Sequence, residues 1–233
     1  MKRFYRDVSV VRAEDGFSVR LDGRQVKTPA KRPLRLPGAA LAEAVAAEWA
    51  EQGSDIDAHG MRLTRLANTA IDRVADHRVA VVGEISRYAE TDLVCYRADA
   101  PAELMRRQRD AWDPLVRWVS DRHGVVLAVT EGLFPVAQPD ESLGRVSEIV
   151  AGFDDFSLAA LHMVTSACGS VVIGLAVADA VLDGEKAWTA SLIDEMFQIE
   201  EWGEDAEAAT RREGLLADVD SAARFLALVR ERK

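Results

Sequence analysis

The sequence predicts an α+β fold in which a small N-terminal antiparallel β domain is followed by a larger, mainly α-helical domain. Three observations carry this. From Arg3 to Leu36 the residue pattern has a period near two, interrupted by two acidic-glycine turns. After Gly38 the apolar residues fall at helical spacing between caps and breakers. The composition, 48% hydrophobic and 29% charged over 233 residues, suits a globular chain long enough to bury a sizeable core.

In the N-terminal part, Val8 to Arg12 alternates in character, Glu14-Asp15-Gly16 makes a turn, and Phe17 to Leu21 alternates again. Asp22-Gly23 supplies the positive φ that a type I′ hairpin turn needs, so two consecutive hairpins are expected. Pro29, Pro33 and Pro37 bar a helix there and mark strand ends or edges. The boundary is expected near residue 60, giving a β-rich domain with a linking helix over 1–60 and a helical domain over 61–233.

The linking helix is expected over Ala39–Gln52, opened by Pro37-Gly38 and stopped by Gly53; Trp49 within it reads as a packing residue. Leu63–Ala75 and His77–Thr91 are expected as two helices, with Asp76 placed to cap the second. Leu93–Tyr96 reads as a short extended piece. Pro101 opens a helix expected to break at Asp113-Pro114, where Asp113 can cap and Pro114 can sit at the first helical position. Val125–Val129 is predicted to be a strand, followed by a loop through Pro135 and Pro139. Helices are then expected over Ser142–Gly152, Ser157–Ala167, Ser170–Leu182, Ala187–Glu201 and Asp205–Arg232. In the last, Leu215, Val219, Ala222, Leu226 and Val229 form a packing seam.

Charge excludes some functions. A formal net charge of -10 argues against nucleic acid as the partner of the whole chain. Met1 to Arg6 carries no apolar signal segment, and the longest apolar run, Val171–Ala178, falls short of a membrane span, so a cytoplasmic location is expected. Cys95 and Cys168 each stand alone in apolar stretches and read as small buried hydrophobes. The four histidines are dispersed, and His162 on an apolar helix reads as a satisfied core residue. No phosphate loop, dinucleotide fingerprint, nucleophile elbow or zinc spacing is present, so the residues name no catalytic group and the enzyme reading is weak.

The charge is unevenly placed. Residues 1–37 hold ten Lys or Arg against four Asp or Glu, a net of +6. Between Lys186 and Arg211 there is no Lys or Arg, while seven acids stand there: Asp194, Glu195, Glu200, Glu201, Glu204, Asp205 and Glu207. Three readings fit that stretch: a solvated helix face, a docking surface for a basic patch on a partner, or a magnesium site on the ExxE pair Glu201 and Glu204. All-helical nucleotide pyrophosphohydrolases follow ExxE with a later ExxD, which this chain lacks. Gly203 is expected to end one helix and Asp205 to cap the next. Trp202 reads first as a core anchor at that junction and otherwise as an exposed aromatic contact. The candidate partner-binding set is therefore Glu200, Glu201, Trp202, Glu204, Asp205 and Glu207.

Several strings, in order along nearly the whole chain, carry a resemblance: Lys2-Arg3-Phe4-Tyr5, Leu21-Asp22-Gly23-Arg24 with Lys27-Thr28-Pro29, Glu48-Trp49, Leu66 to Asp72, Tyr88 to Leu93 with Cys95-Tyr96-Arg97, Gln108, Trp112-Asp113-Pro114, and Trp202-Gly203-Glu204-Asp205. With these the chain resembles the mitochondrial and alphaproteobacterial assembly chaperones that bind the alpha subunit of the ATP synthase catalytic sector. It departs from them at His59-Gly60-Met61-Arg62, where prolines are expected. The resemblance implies a chaperone, not an enzyme, that keeps the unassembled alpha subunit from aggregating until the beta subunit replaces it, with no cofactor. A monomer binding one client is the accompanying expectation. The alternative is a small metal-dependent nucleotide hydrolase of helical fold.

Overall fold

A computed structural model of the chain describes residues 1–132 and 134–231. It has an N-terminal antiparallel sheet followed by a larger helical region, so the α+β expectation holds. The chain divides into two compact units. The first comprises Met1–Arg78, Asp154–Ala160 and the residues from Arg224 onward; the second comprises Val79–Phe153 and Leu161–Ala223.

In the first unit, β1 (Val8–Ala13) pairs antiparallel with β2 (Gly16–Leu21), with Val10 opposite Val19 and Val8 opposite Leu21. β3 (Arg24–Gln25) and β4 (Arg35–Leu36) pair antiparallel with the two ends of β2. The turn into β3 has φ of 48° at Asp22 and 78° at Gly23, the two positive values a type I′ turn requires. The first turn is Glu14-Asp15 alone. Gly16 already belongs to β2, where a Cβ would lie 2.4 Å from the Leu36 carbonyl oxygen. Val19, Leu21, Leu34 and Leu36 are buried with Leu41, Ala42 and Val45 of α1 (Ala39–Ala50), the helix that lies across β1 and β2.

The end of α1 organises the stretch of chain after it. Glu48 accepts from the Leu63 and Thr64 N–H groups at 2.7 and 2.8 Å, binding the orphan donors at the start of α2 (Arg62–Thr69). Trp49 packs edge-on against Tyr5, whose hydroxyl donates to the Trp49 carbonyl at 2.6 Å. Beyond α2 the chain makes a π-helical turn, Ala70–Val74. Asp72 there accepts from the Thr28 hydroxyl and the Ala30 N–H, and Arg32 donates to the Ile71 carbonyl and pairs with Asp76. Asp76, expected as a helix cap, is thus bound by a guanidinium. The anticipated break shows as a kink at His77 (φ -128°) within α3 (Ala75–Ser86).

In the second unit α4 (Ala102–His123), α5 (Asp140–Ala151), α6 (Asp155–Cys168, from Leu161 on), α7 (Val171–Ala178), α8 (Gly184–Ser191), α9 (Ile193–Trp202) and α10 (Ala206–Arg230, to Ala223) surround a core in which every residue of α7 is buried. Several expectations fail here. Leu93–Cys95 is a 3₁₀ turn rather than an extended piece, leading into β5 (Tyr96–Arg97), which pairs in parallel with β6 (Thr130–Glu131). The helix does not break at Pro114. α4 runs through it, because Trp112 on the preceding turn is wholly buried and donates its indole N–H to the Ala190 carbonyl at 2.7 Å. That tertiary anchoring outweighs the local cost of a missing N–H. Val125–Val129 forms no strand. The Gln138 amide bonds both the N–H and the carbonyl of Ala128, at 2.8 and 2.9 Å, and Ser142 donates to the Val126 carbonyl, so side chains take the place of a neighbouring strand.

The expected helix over Ala187–Glu201 is two helices that part at Leu192. The seam of α10 is buried at Val219, Ala222, Leu226 and Val229, with Phe225 added to it. Its expected end at Arg232, and Leu133 in the proline-bearing loop, lie outside the described residues. Cys95 and Cys168 are free and buried, and burial pushes both thiols up to about 12. His162 meets a carboxylate, with its Nε2 3.1 Å from Glu84.

Asp92 is fully buried. One carboxylate oxygen accepts from the Val94 N–H and the other from the Val172 N–H, both at 3.1 Å, joining the 3₁₀ turn to the start of α7. Burial raises the carboxyl from 3.8 to about 6, against the pull of these hydrogen bonds. Between those values the folded chain keeps a proton that the unfolded chain has released. The stabilisation from this group is complete below 3.8 and is lost as pH rises through about 6. In urea unfolding, the stability of the natural chain relative to Asp92→Asn should therefore grow as pH falls from 7.5 to 5. A difference that is flat across that range would contradict this account.

Candidate functional site

The acidic stretch lies in the second unit, on α9 and the start of α10. α9 has no buried residue, and Glu200 through Glu207 are all exposed. Trp202 is 81% exposed, so it is not a core anchor. The reason is local. Gly203, with φ of 88°, ends α9 directly after Trp202, and the residues on either side of the indole, Glu200 through Glu207, are exposed. Asp205 begins the next helix as expected, its side chain accepting from the Ala208 N–H at 2.9 Å.

The acids fall into two groups. Glu200 pairs with Arg107 of α4 at 2.8 Å, and Arg107 also binds Glu103. Arg107 holds the Glu200 carboxyl below the ordinary range, and Glu200 in return raises the guanidinium. Glu195 pairs with Arg212 at 2.6 Å, and Arg212 reaches Glu204 as well; its own affinity for the proton is raised chiefly by Glu195. Asp194 accepts from the Gln108 amide at 2.6 Å. Against these, Glu201 and Glu207 have no ion-pair partner among the described residues. The sequence set therefore separates. Glu200, Glu204 and Asp205 hold the scaffold, while Glu201, Trp202 and Glu207 face solvent.

The paired acids also bear on the cation reading. Glu204, half of the ExxE pair, is engaged by Arg212. Among the described residues no group of three or more His, Cys, Asp or Glu is arranged to hold a metal ion.

The surface is not flat. Asp205 and Glu207 stand at a cleft of about 600 Å³ whose wall includes Leu93, Cys168, Trp188, Leu192 and Leu215. Glu195, Arg211 and Arg212 are also among the lining residues. Apolar walls with carboxylates at the edge suit a segment that presents basic and apolar side chains together. Sequence reasoning missed this cleft, and it missed Arg107 and Arg212 as the residues that fix α9. Arg212 lies just past the end of the cation-free stretch and could have been suspected. Nothing local points from Arg107 to Glu200.

A buried network on α4 adds a further tie to α9 through Gln108 and Asp194. Arg97 is only 6% exposed; it donates to the Gln108 carbonyl at 2.9 Å, lies over the Trp112 ring, and has Asp113 3.1 Å away. Burial pulls the guanidinium below its usual range and Asp113 opposes this. The Gln108 side chain accepts from the Ala98 N–H and donates to Asp194 of α9. The strings Tyr96-Arg97, Gln108 and Trp112-Asp113 thus form one assembly beneath the acidic surface.

A family model described as ATP12 chaperone protein matches residues 2–120. The crystal structure of Atp12 from Paracoccus denitrificans is similar to this chain with a TM-score of 0.94 and 42% identity, covering 98% of both chains. The Atu1473 protein of Agrobacterium tumefaciens is similar with a TM-score of 0.92 and 39% identity, over 97% of this chain and 85% of that one. Mitochondrial protein atp12 of Schizosaccharomyces pombe is 25% identical over 219 residues, 88% of this chain and 75% of that protein.

Arg212 is the tie most open to test. Arg212→Ala removes the counter-ion of Glu195 and Glu204 together and loosens the junction at Gly203. Amide exchange across 199–208 should speed up by roughly two- to fivefold, the scale of exposed ion pairs. Glu201→Ala should leave the same amides unchanged. Equal exchange in both variants would show that the pairs do not hold the junction.

Proposed function

The chain belongs to the ATP12 chaperone family, and from that premise we propose that it binds the unassembled alpha subunit of the ATP synthase catalytic sector through the acidic end of α9 and the start of α10. It holds this client as a monomer, one chain to one client, until the beta subunit takes its place. It acts by covering a surface rather than by catalysis. A subunit waiting for its partner exposes an interface that would otherwise associate non-specifically. A holder must cover that interface and still release it, which favours steering charge around a modest apolar contact over a wholly apolar one.

The observation that carries this reading is the pairing of Glu201 and Glu207, both without ion-pair partners among the described residues, with the exposed Trp202. Ordinary solvated helices mix signs to gain i,i+4 pairs. Here the pairs that form link α9 to α4 and α10, and the remaining acids point outward beside an aromatic side chain of the type that dominates protein contacts. No helix among the described residues is long and apolar enough to cross a membrane.

Glu201→Lys should weaken capture of purified alpha subunit by about 2–5 kcal/mol, the cost of stranding a desolvated charge, with the melting temperature nearly unchanged. Glu14→Lys, in the first hairpin turn, makes the same charge change and should do little. Calorimetric binding at low and moderate salt checks this. Equal affinity of the two variants would remove the acidic end from the client site.

A further inference from the structure

The first unit carries a groove of about 610 Å³, within the size range of about 300–1000 Å³ typical of ligand sites. Tyr5, Leu21, Val26 and Trp49 give it an apolar floor. Met1 and Phe4 stand at it 75% and 65% exposed, large apolar side chains left in water. Arg24, Gln25 and Lys27 form the polar side, with Asp22.

Charge decides what fits there. Of the nearby cations, Lys2 is bound to Asp55, and Arg3 is occupied by the carbonyls of Tyr5, Ala50 and Gln52. Arg24 and Lys27 are exposed and have no ion-pair partner among the described residues. Asp22 offsets part of this charge: the Asp7 and Arg6 N–H groups, at 2.9 and 3.0 Å, hold its carboxyl below the ordinary range and Arg24 lowers it further, so two cations stand against one acid at the groove. The surrounding segment, residues 1–37, is net +6. Trp49 lines the groove, and its buried indole N–H has no acceptor among the described residues.

We infer that this groove is a second docking site, taking a client segment in which an aromatic or long aliphatic side chain is flanked by carboxylates. It rests on the reading of the chain as a holder of the alpha subunit, and its chemistry is the reverse of that at Glu201 and Glu207. The two sites together let one client be gripped through surfaces of opposite charge. A client segment bound only by the acidic site could pivot, whereas two sites of opposite sign fix its orientation as well.

The test uses the full-length chain and three fluorescent peptides of one length: acidic with a central Phe, neutral with the same Phe, and acidic without it. Anisotropy should show tightest binding of the acidic Phe peptide, with affinity lost by at least about tenfold in Arg24→Glu/Lys27→Glu and in Phe4→Ala. The charge-matched control Arg12→Glu/Arg20→Glu, on exposed β1 and β2 positions outside the groove, should bind as the natural chain does. The acidic Phe peptide should also compete with purified alpha subunit. The inference is overturned if the three peptides bind alike, if both double variants lose affinity equally, or if Arg24→Glu/Lys27→Glu captures alpha subunit as well as the natural chain does. Failure of the natural chain to capture alpha subunit at all would overturn the client reading, and with it the groove's role as a client site, even where the peptide preference is seen.

Discussion

The second unit depends on a charge taken out of water. Arg97 is buried between Gln108, the Trp112 ring and Asp113, and the loss of hydration it suffers is offset only where those partners stand. That requirement fixes α4 along its length. Gln108 must turn one face to β5 and the other to Asp194, and Trp112 must reach the Ala190 carbonyl. α8 and α9 are thereby set against α4, and Arg107, one residue before Gln108, meets Glu200. The acidic surface is the outer consequence of an inner network.

The same need for partners governs the acids. Seven carboxylates without an intervening cation would repel one another if left in solution. Arg107 and Arg212, from α4 and α10, neutralise Glu200, Glu195 and Glu204, and Asp205 and Asp194 are used in hydrogen bonds. What remains without a partner is small: the exposed Glu201 and Trp202, and Glu207 at a cleft that includes apolar residues. A surface of that composition gives orientation and encounter rate without the adhesion of a fully apolar patch, which is what temporary holding needs. In the N-terminal stretch 1–37 the opposite sign prevails; Lys2, Arg3, Arg32 and Arg35 are engaged, and among the exposed cations Arg24 and Lys27 stand at a groove.

Features written in a few adjacent residues were legible in the sequence. Asp22-Gly23 announced its turn, Asp205 its cap, Gly203 its helix end, and the spacing of Val219, Ala222, Leu226 and Val229 its buried seam. Features decided by distant partners were not. Gln138 replaced a strand at Val125–Val129, and the burial of Trp112 carried α4 through Pro114. The candidate site divides along the same line. Its acids and its tryptophan were visible as composition. Which of them are engaged by Arg107, 93 positions from Glu200, and which face outward is decided only by the fold. Trp202 misled because a tryptophan beside a helix-ending glycine is commonly a packing residue, and here it ends a helix that has no buried residue.

The most direct measurement of the central claim is carboxyl footprinting of the chain alone and in complex with purified alpha subunit. Carbodiimide coupling to glycine ethyl ester, read by mass spectrometry, reports each exposed carboxylate separately. Glu201 and Glu207 should label readily in the free chain and be protected in the complex, while Glu14 labels equally in both. Undiminished labelling of Glu201 and Glu207 in a complex shown to be intact would contradict that claim, and would place the client elsewhere on the chain.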